Sequence, residues 1–175
     1  MCDSAALITD RVLPEVPVRQ WVLSVPFELR LLLARNPRAL SAVGRLFVRE
    51  ISHWQREQAG LSGILDARTG AICFPQRFGG SLNLNVHYHV AVPDGVFTRG
   101  SDEDRAIFHL LPRPTHDDLD ALAFNVEMRV LGWLRRRNLL SDDEDRSGAA
   151  PARSAIEACL EGSLGIYPQR SAARG

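Results

Sequence analysis

The chain has 175 residues, 45% hydrophobic and 24% charged, which suits one domain with a real core and excludes both two full domains and a disordered chain. Its 21 basic and 21 acidic residues cancel, so no bulk basic field announces a nucleic-acid partner and any such contact must be local. The basic residues are all arginine, which still grips phosphate bidentately.

Three unclustered cysteines, Cys2, Cys73 and Cys159, encode neither a disulfide framework nor a zinc ribbon and fit a reducing compartment. The N-terminus lacks a charged start followed by an apolar run, and no stretch approaches the ~20 apolar residues of a membrane span. The expectation is a cytoplasmic protein with no membrane partner.

Residues 1–17 form a lead-in: a short amphipathic piece from Ala5 to Val12, then Pro14 and Pro17, which resist helix and central strand alike. Val18 to Val25, rich in β-branched and aromatic residues, predicts a strand that Pro26 ends. Phe27 to Arg35 reads as a short helix. Asn36 and Pro37 then supply an N-cap and a first-turn proline, and Leu40, Val43, Phe47, Ile51 and Trp54 recur at spacings of three and four. A long amphipathic helix to about Gln58 follows. Its other face carries Arg38, Arg45, Arg49 and Arg56, interrupted by Glu50 and Glu57, which favours a solvated face over a DNA-backbone stripe.

Gly60 and Gly63 close that helix. Gly70 to Phe78, a turn at Gly79-Gly80-Ser81, and Leu82 to Val92 predict a hairpin; Pro93-Asp94-Gly95 reads as the next tight turn, leading into a strand from Val96 to Thr98. These would continue an antiparallel meander, with a further strand over Ala106 to Leu111. Thr115 and Asp118 spell a capping box for a second long helix, whose expected buried stripe is Leu119, Leu122, Val126, Val130 and Trp133. Acids at Asp117, Asp118 and Asp120 suit its positive end, and Arg135, Arg136 and Arg137 its negative one. Residues 141–153, acidic and then rich in Ser, Gly, Ala and Pro, read as a linker; 154–160 read as a short helix before a polar tail. The organisation is therefore lead-in (1–17), core (18–140), and linker with tail (141–175). The fold class is α+β: an antiparallel sheet covered by two long helices.

The chemistry concentrates in residues 82–90. Read with period two, Asn83, Asn85, His87 and His89 share one face, while Leu82, Leu84, Val86, Tyr88 and Val90 share the other. Two imidazoles two residues apart on a strand stand roughly 7 Å apart at Cα and can lean onto one cation. On spacing alone, they read equally well as polar residues on the solvent face of an antiparallel sheet. Gln76, across the hairpin, is a candidate third ligand. Paired imidazoles point first to zinc or another transition metal, with manganese or magnesium acceptable where water and phosphate complete the shell.

The run Pro75-Gln76-Arg77-Phe78-Gly79-Gly80-Ser81-Leu82-Asn83-Leu84-Asn85-Val86-His87-Tyr88-His89, followed by Asp94-Gly95-Val96-Phe97, resembles the core of the two-tyrosine transposases of rolling-circle insertion sequences, members of the HUH endonucleases. Residues 16–27 and 110–115 resemble theirs as well, so the likeness extends over about residues 5–165. The resemblance implies an HUH-type palm, a divalent cation (magnesium or manganese) on His87 and His89, and single-stranded DNA at transposon ends as partner. It also implies a tyrosine that forms a covalent phosphotyrosine intermediate during strand cleavage and transfer. The polar row makes Asn83 and Asn85, with Arg77, candidate DNA contacts.

Two family features are not matched: the N-terminal cysteine-rich zinc module and the tyrosine-bearing block. Only Tyr88 and Tyr167 occur. Tyr88 alternates away from the histidines and reads as core, while Tyr167, beside Pro168 in the tail, is a weakly supported nucleophile that fits no motif. The expectation is a transposase core fragment inactive by itself, with a non-catalytic single-stranded DNA-binding module as the alternative. A His-metal hydrolase acting on a small substrate is a third reading, and it lacks a well-placed general base. His53 and His116 read as surface positions, His109 as a sheet-edge residue, and Trp21 and Trp133 as core.

Overall fold

In the computed structural model, which describes residues 15–61, 67–79, 83–100, 105–140 and the backbone of 169–170, the first strand shows how the layers form. Along β1 (Val18–Ser24) burial alternates residue by residue: Arg19, Trp21 and Leu23 point inward, while Gln20, Val22 and Ser24 remain half-buried on the other side. A tight bend at Pro26 leads into α1 (Phe27–Arg35) and then α2 (Pro37–Gln58), the bounds that the proline and asparagine signals predict. The Asn36 side chain accepts from the Ala39 amide, so one orphan donor of the α2 N-terminus is satisfied within the turn.

β2 (Ile72–Phe78) and β3 (Leu84–Pro93) pair antiparallel as the hairpin pattern requires, although each starts about two residues later than expected and residues 80–82 of the turn lie outside the described set. The meander stops there. β3 pairs on its other edge with β1, in register from Val18–Pro93 to Ser24–His87, so the sheet order is β2-β3-β1 with β6 (Gln169–Arg170) on the outer edge. β4 (Gly95–Arg99) and β5 (Ala106–Leu110) form a separate two-stranded ribbon.

The expected tight turn at residues 93–95 is thus a corner at which the chain leaves one sheet for another. Asp94 is buried there and forms a bidentate ion pair with Arg19: Nε to Oδ1 at 2.8 Å and Nη2 to Oδ2 at 2.6 Å. Backbone bonds from the Asp94 amide to the Pro17 carbonyl and from the Leu111 amide to the Asp94 carbonyl hold the corner on both sides. At Gly95 a Cβ would collide with the His109 carbonyl and the Phe108 ring, so only glycine lets β5 close against β4 at that point.

α3 (His116–Arg136) begins on the predicted capping box: Thr115 Oγ1 accepts from the Asp118 amide, and the Asp118 carboxylate accepts from the Thr115 amide. Hydrogen bonds from Thr115 hold the Asp118 carboxyl below its usual range, as a helix-capping role requires. Its buried stripe is Leu122, Val126, Val130, Leu131 and Leu134. Leu119 and Trp133, expected in that stripe, are only partly buried; the contact rotates toward Leu131 and Leu134 near the helix end, and the Arg137 guanidinium sits 5.4 Å from the Trp133 ring centroid.

One core joins the elements: Trp21, Leu23, Val86, Tyr88 and Val90 from the sheet meet Leu33, Phe47 and Ile51 from α1 and α2, and Val126 and Leu134 from α3. Trp21 and Trp54 lie edge to face, 5.5 Å apart. Glu50 departs from the surface role expected of it. It is 3% exposed, with its Oε1 2.6 Å from Arg129 Nε, off the direction of an aligned hydrogen bond, because α3 packs on that flank of α2.

The tail also differs from expectation, since Gln169 and Arg170 pair with Gln20 and Arg19 and satisfy part of the open β1 edge. Among the described residues the architecture is α+β with antiparallel sheets and three helices, two of them long. Among the described residues no helix is long and apolar enough to cross a membrane.

Candidate metal centre and single-strand face

The sheet has two unlike faces because strand residues alternate. The helices bury one. The other carries Asn85, His87 and His89 of β3, flanked by Gln20, Val22 and Ser24 of β1 and by Phe74 and Gln76 of β2, all half-buried or exposed. Cross-strand register sets the neighbours: His87 lies between Ser24 and Gln76, and His89 between Val22 and Phe74.

The two imidazole rings converge, with centroids 5.0 Å apart and planes at 71°. Each ring is tied back through Nδ1. His87 Nδ1 is 2.7 Å from the Asn85 carbonyl oxygen, which can only accept, so the proton sits on Nδ1 and Nε2 keeps a free lone pair. His89 Nδ1 meets the Gln20 side-chain amide. With that amide turned so that Oε1 faces the ring, Nδ1 donates and Nε2 is again a lone pair; the two amide orientations differ only in how O and N are assigned. Such an orienting hydrogen bond on the far nitrogen is what metal-ligating imidazoles use. Burial, and then the proximity of His87, lowers the His89 pKa from its usual value, which favours the neutral form a cation needs.

Gln76, the candidate third ligand, stands directly opposite His87 in the β2–β3 register. Among the described residues there is no group of three or more His, Cys, Asp or Glu side chains that could hold a metal. The donor set open to a cation is therefore two imidazoles plus neutral oxygen donors, such as the Gln76 amide, and water. Such a set fits a cation whose remaining positions are filled by water and phosphate.

The candidate DNA contacts gather at the end of the same hairpin. Arg77 is exposed at a register break between Gln76 and Phe78, Asn83 is exposed where its carbonyl accepts from the Gly79 amide, and Asn85 is half-buried beside His87.

Tyr88 lies on the opposite, fully buried face, where its hydroxyl donates to the Leu40 carbonyl at 2.9 Å and burial pushes its pKa far up. A protonated, enclosed phenol of this kind is a core residue. Tyr167 lies outside the described residues.

The remaining histidines stand away from this face. His53 is exposed and 3.2 Å from Glu57, His109 shares a 2.7 Å contact with Thr98 inside the β4–β5 ribbon, and His116 is exposed at the start of α3. Gln20 and Ser24 are the site residues that sequence reasoning missed. Their signal is present in β1, where Gln20 and Ser24 fall on the outward phase of a strand whose inward phase is largely apolar; which strand they face depends on a pairing some 70 residues away.

No curated protein and no solved structure matches the chain. Residues 70–138, from just before β2 to just past α3 and including Gln76, His87 and His89, match the model of a family described as "Putative transposase", and that match supports placing the chain with a transposase family.

Proposed function

We propose that the chain is the core of an HUH-type, two-tyrosine rolling-circle transposase that holds a divalent cation, magnesium or manganese, on His87 and His89 and receives single-stranded DNA on the open sheet face. The observation that carries this reading is the pair of imidazoles converging on the exposed face, with the Nδ1 of each engaged and Nε2 left available.

His87 and His89 would hold the cation, with the Gln76 amide as third ligand; the Asn85 carbonyl and the Gln20 amide fix the rotation of the two rings. Arg77, Asn83 and Asn85 contact the strand beside them. When bound, the cation polarises a scissile phosphodiester as a Lewis acid. The nucleophile is a separate matter. Tyr88 cannot serve from inside the core, and Tyr167 matches no nucleophile motif, so this chain positions single strands without cutting them by itself.

A manganese titration followed by thermal melting tests the metal. At about a hundredfold excess over Kd, a single site stabilises by ~2.7 kcal/mol, which is roughly 5–10 °C for a chain of this size. The parent should show that rise, and His87→Ala and His89→Ala should lose it. An unchanged rise in both variants removes the site.

The shortage of acidic or third imidazole ligands among the described residues favours one other reading, a single-stranded DNA-binding module for which metal is optional. In that case, oligonucleotide affinity would be the same with manganese and with a chelator.

A further inference from the structure

A second feature lies at the other end of β3. A cleft of about 450 Å³ opens between residues 68–70 and the β4–β5 ribbon, with Pro93, the last residue of β3, in its wall. Three arginines line it, Arg68, Arg99 and Arg105, together with Thr69, Thr98 and the Phe97 ring. Among the described residues its lining contains no carboxylate, and none of the three guanidiniums is in an ion pair there. Three positive charges around one concavity, uncompensated by the described residues that line it, favour an anionic occupant.

The backbone beneath these arginines is fixed from several sides. Arg68 and Phe97 exchange reciprocal amide–carbonyl hydrogen bonds of 2.8 Å. Thr69 Oγ1 donates to Ser52 Oγ on α2 at 2.8 Å. The Gly100 amide donates to the Arg105 carbonyl at 2.7 Å, and a Cβ on Gly100 would stand 2.6 Å from that oxygen, so glycine permits the close approach that sets Arg99 and Arg105 on neighbouring strand ends. Phe97, which lines the cleft, is half-buried and braced by Phe108, with ring centroids 4.9 Å apart.

Guanidiniums for phosphate and an aromatic ring for a base make up the donor set of a single-strand groove; a duplex would offer its phosphates but keep its bases stacked inside. Pro93 lies four residues beyond His89 on the same strand, a span of ~13 Å, within reach of a few nucleotides of extended strand.

We propose that this cleft is a second single-stranded DNA subsite, gripping phosphates with Arg68, Arg99 and Arg105 and stacking a base on Phe97. The assignment rests on the reading that the chain acts on single strands, but not on the metal.

The test is fluorescence anisotropy of a labelled 20-nucleotide oligothymidylate across a salt series, using the parent, the triple variant R68Q/R99Q/R105Q, F97L, and H87A/H89A. The three arginines are exposed, so the triple variant should melt with the parent. It should bind at least tenfold more weakly at low salt, and its log affinity against log salt slope should shrink by about 2, from ~0.7 per lost phosphate contact. F97L should weaken single-strand binding without changing that slope. H87A/H89A should keep the slope contributed by the cleft.

An unchanged slope in the triple variant overturns the subsite. Equal losses for duplex and single strand overturn it too. A cleft that passes while H87A/H89A leaves manganese binding intact would sink the metal reading alone.

Discussion

Asp94→Ala is the substitution whose cost the structure specifies best. The Asp94 carboxylate meets Arg19 through two parallel hydrogen bonds, and the two side chains are 9% and 4% exposed. Removing the carboxylate leaves a guanidinium that cannot lose its proton and cannot reach bulk water. Breaking a buried pair in this way costs about 3–5 kcal/mol, a large share of the ~5–15 kcal/mol that holds a typical domain together. For a chain of this size, each kcal/mol moves the melting point by ~2–4 °C, so the expected fall is roughly 6–20 °C. Replacing both partners by apolar residues, Arg19→Met with Asp94→Leu, removes the stranded charge along with the pair and should recover much of the loss. Urea denaturation followed by far-ultraviolet circular dichroism measures both. A single variant that loses less than about 1 kcal/mol, or a double variant worse than the single, would refute the view that this ion pair locks the sheet-to-ribbon corner.

Three further outcomes follow from the same geometry. Tyr88→Phe should lose about 1 kcal/mol in denaturation, the net worth of its bond to the Leu40 carbonyl, and leave oligonucleotide affinity unchanged, because the phenol faces the core. Gly95→Ala should cost about 1–3 kcal/mol by forcing β5 away from β4; a variant with wild-type stability would show that the ribbon is looser than its contacts indicate. For His89, burial and the neighbouring His87 lower the pKa, so the unfolded chain takes up the proton first as pH falls. The stability this group contributes is complete above its ordinary value near 6.5 and is lost as pH drops through the lower folded value. Imidazole nitrogen shifts followed by NMR should give a His89 midpoint below 6.5, and a midpoint at or above 6.5 would mean that neither burial nor the neighbouring His87 penalises its charged form.

Local signals carried much of the fold. Asn36-Pro37 and the Thr115–Asp118 box marked where the two long helices begin, because capping is decided within four residues. The alternation of 83–90 separated Tyr88 from His87 and His89 for the same reason: side-chain direction along a strand depends only on position. Pairing is a different kind of information. Insertion of β1 beside β3, the burial of Asp94 against Arg19 75 residues away, and the Glu50–Arg129 contact all arise from chain segments that meet only after folding. Glu50 sits among exposed arginines in sequence and carries no local mark of burial, and Asp94 in Pro-Asp-Gly has the composition of an ordinary turn. Gln20 illustrates the boundary between the two kinds of signal, since its face was readable in β1 and its partner was not.

The charge balance of the proposed metal site leads to one further consequence. Two neutral imidazoles and an amide would place a doubly positive ion on the sheet with no anionic ligand from the protein among the described residues. The phosphates of a bound strand would then supply the compensating negative charge, and cation and DNA would each strengthen the binding of the other. Such coupling is reciprocal: whatever factor the oligonucleotide adds to manganese affinity, manganese must add to oligonucleotide affinity. Calorimetric titrations of manganese with and without oligothymidylate, paired with anisotropy titrations of oligothymidylate with and without manganese, should give equal factors, on the order of 5–150-fold for a typical coupling. The factor should vanish in His89→Ala, whereas the triple arginine variant of the distant cleft should retain it. Manganese that binds equally well with and without DNA would mean that an anionic ligand from the protein completes the shell, and the neutral donor set assigned to His87, His89 and Gln76 would be wrong.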